Sequence, residues 1–363
     1  MGLLQKTPAN SRSQHMIGLL LDDFPAPSAK LIAPALAPGL DGESVPPGEA
    51  QALQSILNHI AASVRANARH GAARRDAHPK AHGVVRASFR VLDNLPDELR
   101  AGLFVLARAY PCYIRFSNGF DTPRTDRLGD ARGMAIKLAG ATGSRSGTQD
   151  FLLINSPALF VRNAVDYVDF FAADPRRRFF LPGWNPLKFR WHELFVALAI
   201  ARQKTANPLN TRYWSTTPFL FGTRACKFSA RPAGPASLFV ERQAPDFLHD
   251  NLAQHLASQG AEFDFMVQLR GNPAAMPLED AAVEWSERAA PFIPVARILI
   301  PPQDFDHAAQ RTFGEDLSFS PWHGLDAHRP LGGINRVRRG VYEAVSRLRH
   351  ELNGAERKEP EGF

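Results

Sequence analysis

Apolar residues recur at helical spacing near both ends of the chain and alternate with polar residues over much of the middle. Near the N-terminus, Leu53, Ile56, Leu57 and Ile60 fall on one side of a helix, which predicts an amphipathic segment. The C-terminal region carries the most strongly marked helical pattern. The predicted helices are residues 48–68, 96–107, 166–173, 245–258 and 335–352.

Between these helices lie short runs of β-branched and aromatic residues, bounded by turns rich in glycine, aspartate, proline and arginine. Such runs are typical of β-strands. They predict strands in two blocks: residues 84–91, 113–116, 133–138 and 151–154, then 219–228, 237–242, 264–269 and 295–300. Two blocks of strands with helices at the ends predict an α+β fold, an antiparallel β-barrel or sandwich with peripheral helices.

Composition and charge narrow the function classes. The 363 residues are 44% hydrophobic and 22% charged, which is typical of a soluble globular protein, and the net charge is +7. A basic protein often binds an anionic partner, but no zinc-finger spacing, RNA-recognition signature or P-loop occurs, so nucleic acid is not expected. The two cysteines, Cys112 and Cys226, are too few for a disulfide framework and are expected to be buried and inert.

The N-terminal residues and the length of the apolar runs indicate where in the cell the protein is expected. Residues 1–22 lack the pattern of a signal peptide, and no apolar run approaches the ~20 residues that span a bilayer, so we expect a cytoplasmic protein. We predict an N-terminal arm and helix over residues 1–69, a main domain over 70–352 and a polar tail over 353–363.

A tyrosine in the C-terminal helix has unusual neighbours. Of the five tyrosines, only Tyr342 follows an arginine by four residues, Arg338, and Arg349 lies on the same helical face. A phenol ionises near pH 10, and a nearby guanidinium favours the phenolate, which is an established axial ligand of haem iron. By itself an arginine–tyrosine pair at this spacing is more often a surface stack, so the spacing alone does not identify Tyr342 as a haem ligand.

Five segments resemble, in order, the conserved segments of the catalase family. They are Arg75 followed by His78-Pro79-Lys80-Ala81-His82-Gly83, then Ile114-Arg115-Phe116-Ser117, Asp130-Ala131-Arg132-Gly133-Met134-Ala135-Ile136-Lys137, Asn155-Ser156-Pro157-Ala158-Leu159-Phe160-Val161-Arg162, and Arg338 with Tyr342. The likeness runs over roughly residues 70–350. The chain lacks the long arms and extra C-terminal domain of large catalases, so it resembles the small, catalase-related branch.

The resemblance implies a role for nine residues. Three would be catalytic: His78 as the distal base, Ser117 as its hydrogen-bond partner, and Asn155 to orient the peroxide. Six would bind haem b: Arg75, Arg115, Tyr167, Arg338, Arg349 and Tyr342, of which Tyr342 would be the iron ligand. One extra residue separates His78 from the following strand, so His82 is a rival for the distal position. Asn155 matches either of two family asparagines.

The resemblance also implies the chemistry. It predicts a catalase-like haem barrel, with the C-terminal helix on the proximal side, that decomposes or uses hydrogen peroxide or organic hydroperoxides through a ferryl intermediate. One alternative is the rearrangement of fatty-acid hydroperoxides without net redox change, as in allene oxide synthase. Ala77, where that enzyme carries threonine, favours catalase or peroxidase chemistry. The other alternative is a non-catalytic barrel that binds haem or lipid.

One basic and aromatic stretch, residues 176–204, stands outside these motifs. Its arginines and lysines alternate with phenylalanines and tryptophans next to a short apolar helix, which is typical of a weak peripheral contact with an anionic membrane. The alternative is a solvated face above ordinary core aromatics. The sequence leaves open whether the chain forms a homo-oligomer.

Overall fold

The computed structural model describes residues 42–69, 71–75, 77–357 and 359–360. Its strands are β1 (Ala81–Val91), β2 (Ala109–Asn118), β3 (Arg132–Ala139), β4 (Thr148–Ile154), β5 (Tyr213–Trp214), β6 (Phe219–Phe221), β7 (Arg224–Pro232), β8 (Ala261–Leu269) and β9 (Ile293–Ile300). Neighbouring strands are antiparallel and follow the order β5, β4, β3, β2, β1, β9, β8, β7, and β7 pairs again with β5. These strands close the predicted antiparallel barrel, and β6 adds to the edge of β7.

Aromatic side chains fill the interior of the barrel. The rings of Phe151 and Phe265 lie 4.7 Å apart, those of Phe151 and Phe228 4.9 Å, and those of Phe89 and Phe265 5.0 Å. All four phenylalanines are buried. Rings at these separations pack favourably, so the interior is a solid core and a large ligand has to bind outside it.

Strand β2 connects this core to the outer surface of the barrel. Ile114 and Phe116 point inward and belong to the main hydrophobic core. Successive residues of a strand point to opposite faces, so Arg115 and Ser117 lie on the outer face. Arg115 and Ser117, the polar residues of the segment that resembles catalases, therefore lie outside the barrel.

Seven α-helices lie around the barrel in the described ranges. They are α1 (Glu49–Ala68), α2 (Ala164–Ala172), α3 (Arg177–Phe180), α4 (Trp191–Arg202), α5 (Phe247–Leu256), α6 (Ala308–Asp316) and α7 (Gly333–Asn353). The apolar stripe predicted for the first helix packs against Val337 and Leu348 of α7. At the N-terminal ends of α1 and α7, buried Arg336 donates to the Glu49 carboxylate at 2.7 Å. None of the described helices is both long enough and apolar enough to cross a membrane.

Two predicted elements are interrupted by glycine. Residues 96–107 form two single 3₁₀ turns, Asp97–Leu99 and Gly102–Phe104, because Gly102 has a φ of +55°. Residues 219–228 form two strands, because Gly222 turns the chain with a φ of +64°. Both glycines adopt the left-handed conformation that other residues avoid.

The predicted strand over residues 237–242 is wrong. Its backbone is bound by side-chain amides instead of a neighbouring strand: Asn207 donates to the Phe239 carbonyl, and Asn210 both donates to and accepts from Ser237. Side-chain amides that bond to backbone groups in this way compete with strand pairing.

Two further predictions concern the chain ends and the cysteines. Residues 1–41, with most of the predicted N-terminal arm, lie outside the described residues. Cys112 and Cys226 are buried as predicted, and burial raises the pKa of both thiols.

Candidate active site

His78 lies just before β1 and is bonded to the outer face of the barrel. Its Nδ1 is 3.0 Å from the hydroxyl oxygen of Ser117. Gly133 pairs with Ser117 across β2 and β3, and a side chain there would come within 2.7 Å of both the His78 ring and the Ser117 hydroxyl. Glycine at position 133 therefore leaves the space that the histidine occupies.

The surroundings of His78 keep its ring neutral near pH 7. Burial and, to a smaller extent, the positive charges of Arg115 and Arg338 together lower its pKa to about 4. Arg115 also donates from Nη2 to the His78 carbonyl at 2.9 Å, which holds the backbone of this residue. A neutral imidazole with Nδ1 engaged can accept a proton at Nε2.

Asn155 follows β4 directly and is buried. Its Oδ1 accepts a hydrogen bond of 2.6 Å from the backbone N–H of Arg132, the residue before Gly133. Its Nδ2 has no hydrogen-bond partner among the described residues. A buried donor without a partner costs about 1–3 kcal/mol, so this amide is suited to a ligand with an acceptor oxygen.

The predicted contact between Arg338 and Tyr342 is present on α7. Arg338 Nη2 lies 3.2 Å from the Tyr342 hydroxyl oxygen, to which it donates. Arg338 Nη1 lies 3.3 Å from Asn335 Oδ1 and 3.5 Å from Thr217 Oγ1, so two residues outside the motif hold the guanidinium. Asn335 and Thr217 were not predicted; the signal available in the sequence was an asparagine three residues before Arg338, on the same helical face.

Three arginines gather around one carboxylate beside this site. Arg75 pairs with Glu315 at 2.9 Å, and Arg349 donates to the Glu315 carbonyl at 2.6 Å. Burial would raise the pKa of Glu315, but the charges of Arg75, Arg115 and Arg349 outweigh it and the pKa lies below its usual range. We call these four residues the Glu315 cluster.

Positive charge is in excess in the Glu315 cluster. Burial and the charge of Arg75 lower the pKa of Arg115 to about 9 and that of Arg349 to about 10. The Nε of Arg115 is also buried without a hydrogen-bond partner in the described part of the chain. A guanidinium stays protonated in proteins, so the lowered values indicate a site that favours additional negative charge.

His82 is held in a different polar group. Strand β1 is irregular at His82. The Nε2 of His82 lies 2.8 Å from Asn118 Oδ1, and Asn118 is on the opposite face of β2 from Ser117. Burial lowers the pKa of His82 to about 3, although Asp126 acts in the opposite direction. Asn118 in turn donates to Asp126 at 2.8 Å. The structure therefore separates the two candidate histidines.

Tyr167 lies on α2, half-buried against α7. Its ring is 4.6 Å from that of Phe171, and it packs against the apolar group formed by α1 and α7. The structure thus brings Tyr167 to the helix that carries Tyr342 and Arg349.

Known proteins of the same fold were found by sequence and by structure. No family model matches the sequence. A catalase-related peroxidase of Mycolicibacterium paratuberculosis is 26% identical over 259 residues, which is 66% of this chain and 78% of that protein. A fungal catalase matches with a TM-score of 0.61 at 17% identity, covering 79% of this chain and 62% of its own, so the chain spans less than two thirds of it.

Two other solved structures are similar. Catalase A of Saccharomyces cerevisiae matches with a TM-score of 0.64 at 17% identity, over 82% of this chain and 67% of its own. A bacterial catalase matches with a TM-score of 0.58 at 16% identity, over 99% of this chain and 71% of its own. The barrel and the three structural matches show the catalase fold, and the sequence is similar to that of a catalase-related peroxidase.

Proposed function

We propose that the chain is a haem-dependent oxidoreductase that acts on peroxide, as a catalase or as a peroxidase. One observation carries the proposal: the guanidinium of Arg338 hydrogen-bonds to Tyr342 and its charge also lowers the pKa of His78. The interaction between charges weakens with distance, so this shift indicates that Arg338 lies near His78 as well as beside Tyr342, which supports a shared site for the candidate iron ligand and the candidate base. The names of the peroxidase relative and of the structural matches support the same reaction class.

The residues of the site fit haem b. Tyr342 would ligate the iron, with its phenolate stabilised by Arg338. Arg75, Arg115 and Arg349 offer more positive charge than Glu315 neutralises, which suits the haem propionates. Tyr167 would pack against the porphyrin. When bound, haem would supply the ferric iron at which the peroxide O–O bond is cleaved.

The distal residues can carry the proton transfers. His78 Nε2 would take the proton from one peroxide oxygen and deliver it to the other, which leaves as water. Ser117 engages Nδ1, which would leave Nε2 to face the peroxide. Asn155 Nδ2, a buried donor that has no partner among the described residues, would donate to a peroxide oxygen without changing its own charge.

The first test is the absorbance spectrum of the purified, haem-loaded protein. We expect a ferric haem spectrum with tyrosinate ligation that is lost in Tyr342→Phe. Tyr110→Phe is the matched control, because it removes the same hydroxyl from a tyrosine in the barrel core. A folded, full-length protein that never takes up haem overturns the proposal.

The second test separates the histidines. His78→Gln should lower the rate of peroxide consumption by a factor of about 10²–10⁴ with the spectrum retained. His82→Gln should retain most activity, because glutamine can still bond to Asn118. The reverse result would make His82 the base. Isomerisation of a lipid hydroperoxide with negligible oxygen release and no use of an electron donor would instead identify a rearrangement enzyme.

A further inference from the structure

Helix α4 and the two turns before it expose an unusual amount of apolar surface. Trp191, Phe195 and Leu198 repeat at i, i+4 and i+7 on the water-facing side of α4, and Phe195 is 63% exposed. Trp184 is 64% exposed and Leu187 96% exposed. The exposed side of a surface helix is ordinarily polar, and apolar residues grouped there mark an interaction site. We call these five residues the α4 face.

The opposite side of α4 is packed normally, so the α4 face does not result from a misplaced helix. Leu194 and Ala197 pack against an aromatic group that contains Phe179 and Phe180. Tyr167 contacts the same group. Helix α4 and one layer of aromatic side chains therefore separate the α4 face from Tyr167, a residue of the candidate haem site.

Positive charge surrounds the α4 face. Five exposed basic residues border it in sequence and form no ion pair with any residue in the described ranges: Arg177, Arg178, Lys188, Arg202 and Lys204. The same stretch, residues 174–204, holds only two acidic residues, Asp174 and Glu193. Glu193 is buried and paired with Arg162 at 3.3 Å, so it does not offset this charge.

This charge distribution decides between possible occupants. In a symmetric dimer through the α4 face, each basic residue would approach like charges of the other copy, which is unfavourable on a chain that already carries +7. An anionic lipid surface meets both requirements: its acyl region accepts the apolar side chains and its headgroups pair with the cations. Tryptophan is also the residue best suited to the headgroup region.

We propose that the α4 face binds peripherally to membranes rich in anionic lipid. Trp184, Leu187, Trp191 and Phe195 enter the interface, and the flanking arginines and lysines lie at the headgroups. One consequence, which rests on the proposed function, is that hydroperoxides of membrane lipids reach the haem site from the side of the α4 face. Membrane binding itself does not depend on haem.

The test is flotation of the full-length protein with vesicles. Equal amounts of phosphatidylcholine and phosphatidylglycerol should retain the protein at low salt, and phosphatidylcholine alone should not. Trp191→Ser with Phe195→Ser should abolish binding. The control, Leu106→Ser with Leu238→Ser, removes two apolar residues that are more exposed but lie outside the α4 face, and it should leave binding unchanged. Far-UV circular dichroism checks that every variant is folded.

The electrostatic part has its own control. Arg177→Ser with Arg178→Ser should lower the membrane partition constant by roughly 25-fold, since each cation at an anionic surface contributes about fivefold. Arg145→Ser with Arg224→Ser loses the same charge at exposed positions elsewhere and should reduce it far less. About 0.5 M salt should release the wild-type protein.

Three outcomes overturn the proposal: no flotation at low salt, equal flotation of the α4-face variants, or a dimer that Trp191→Ser with Phe195→Ser converts to monomer. The last result would assign the α4 face to a second copy. Flotation by a protein that never binds haem would refute the proposed function and leave the membrane proposal standing.

Discussion

Two clusters of buried arginines lie at opposite ends of α7, and they are neutralised to different extents. Near the start of α7, Arg336 and Arg329 face three carboxylates, those of Glu43, Glu49 and Glu279. We call these residues the Arg336 cluster. Near the end of α7, the Glu315 cluster places three arginines around one carboxylate.

The pKa values of the arginines reflect this difference. Burial would lower the pKa of Arg336, but hydrogen bonds to Glu49 and Glu279 raise it above its usual value. In the Glu315 cluster burial prevails, and the pKa values of Arg115 and Arg349 fall to about 9 and about 10. In the Arg336 cluster the buried charge is neutralised internally and stabilises the fold. In the Glu315 cluster buried positive charge is left in excess, which indicates a binding site for an anion.

The largest expected effect is a loss of protein stability when the Arg336 cluster is disrupted. Arg336→Met leaves the carboxylates of Glu49 and Glu279 without their counter-charge, while Glu43 keeps Arg329, and should lower the free energy of unfolding by about 3–5 kcal/mol. Urea denaturation of the haem-free protein measures it. Arg347→Met, on the exposed side of the same helix, is the control and should change stability little. A loss below about 1 kcal/mol would contradict the assignment of a structural role.

Next comes haem affinity at the Glu315 cluster. Arg349→Met should weaken haem binding roughly tenfold to hundredfold, because a charge-assisted hydrogen bond to a propionate is lost. The stability of the haem-free protein should change by less than about 1 kcal/mol, since relief of repulsion offsets the lost bond to Glu315. Haem transfer to an apoglobin measures the affinity, again with Arg347→Met as control. Unchanged affinity together with a large loss of stability would make the two clusters alike.

A smaller effect, of opposite sign, is expected when the carboxylate is removed. Glu315→Gln should raise haem affinity by roughly threefold to tenfold, because the arginines then have no competing anion. The same change should lower the stability of the haem-free protein. Glu343→Gln, an exposed glutamate on α7, is the matched control. Weaker haem binding in Glu315→Gln would show that the carboxylate instead positions the arginines.

The smallest effect is in the pH dependence. The pKa of Glu315 is lowered in the folded chain, so its carboxylate stabilises the native state above the usual value of 4.5, and this contribution is lost as pH falls through the lowered value. The difference in unfolding free energy between wild type and Glu315→Gln should therefore shrink below pH 4.5. Because the side chain is 45% exposed, the whole difference should stay below about 1 kcal/mol. Urea denaturation at a series of pH values measures it, and a difference that does not shrink would contradict this account.

Local spacing made part of this structure predictable. The stripe in α1 and the contact between Arg338 and Tyr342 follow from the helical period alone, and both are present. The strand pattern predicted an antiparallel barrel or sandwich, and the resemblance to catalases implied the barrel that the structure has. The error at residues 237–242 arose where side-chain amides from a distant segment replaced a strand partner.

Contacts between distant segments were not predictable from spacing. The sequence left His78 and His82 as rivals, and the placement of Ser117 and Asn118 on opposite faces of β2 separated them in space. Glu315 was not predicted as a site residue, because its partner Arg75 is 240 residues away in the sequence.

By itself, then, the sequence determined most of the periodic elements, an antiparallel barrel or sandwich, and the motifs that resemble catalases. Only the tertiary structure decided which polar groups are satisfied: the carboxylates around Arg336, the Nδ2 of Asn155, which has no partner in the described part of the chain, and the excess charge beside Glu315. The physical reason is that the cost of a buried charge or donor depends on every group around it, and those groups come from parts of the chain that only folding brings together.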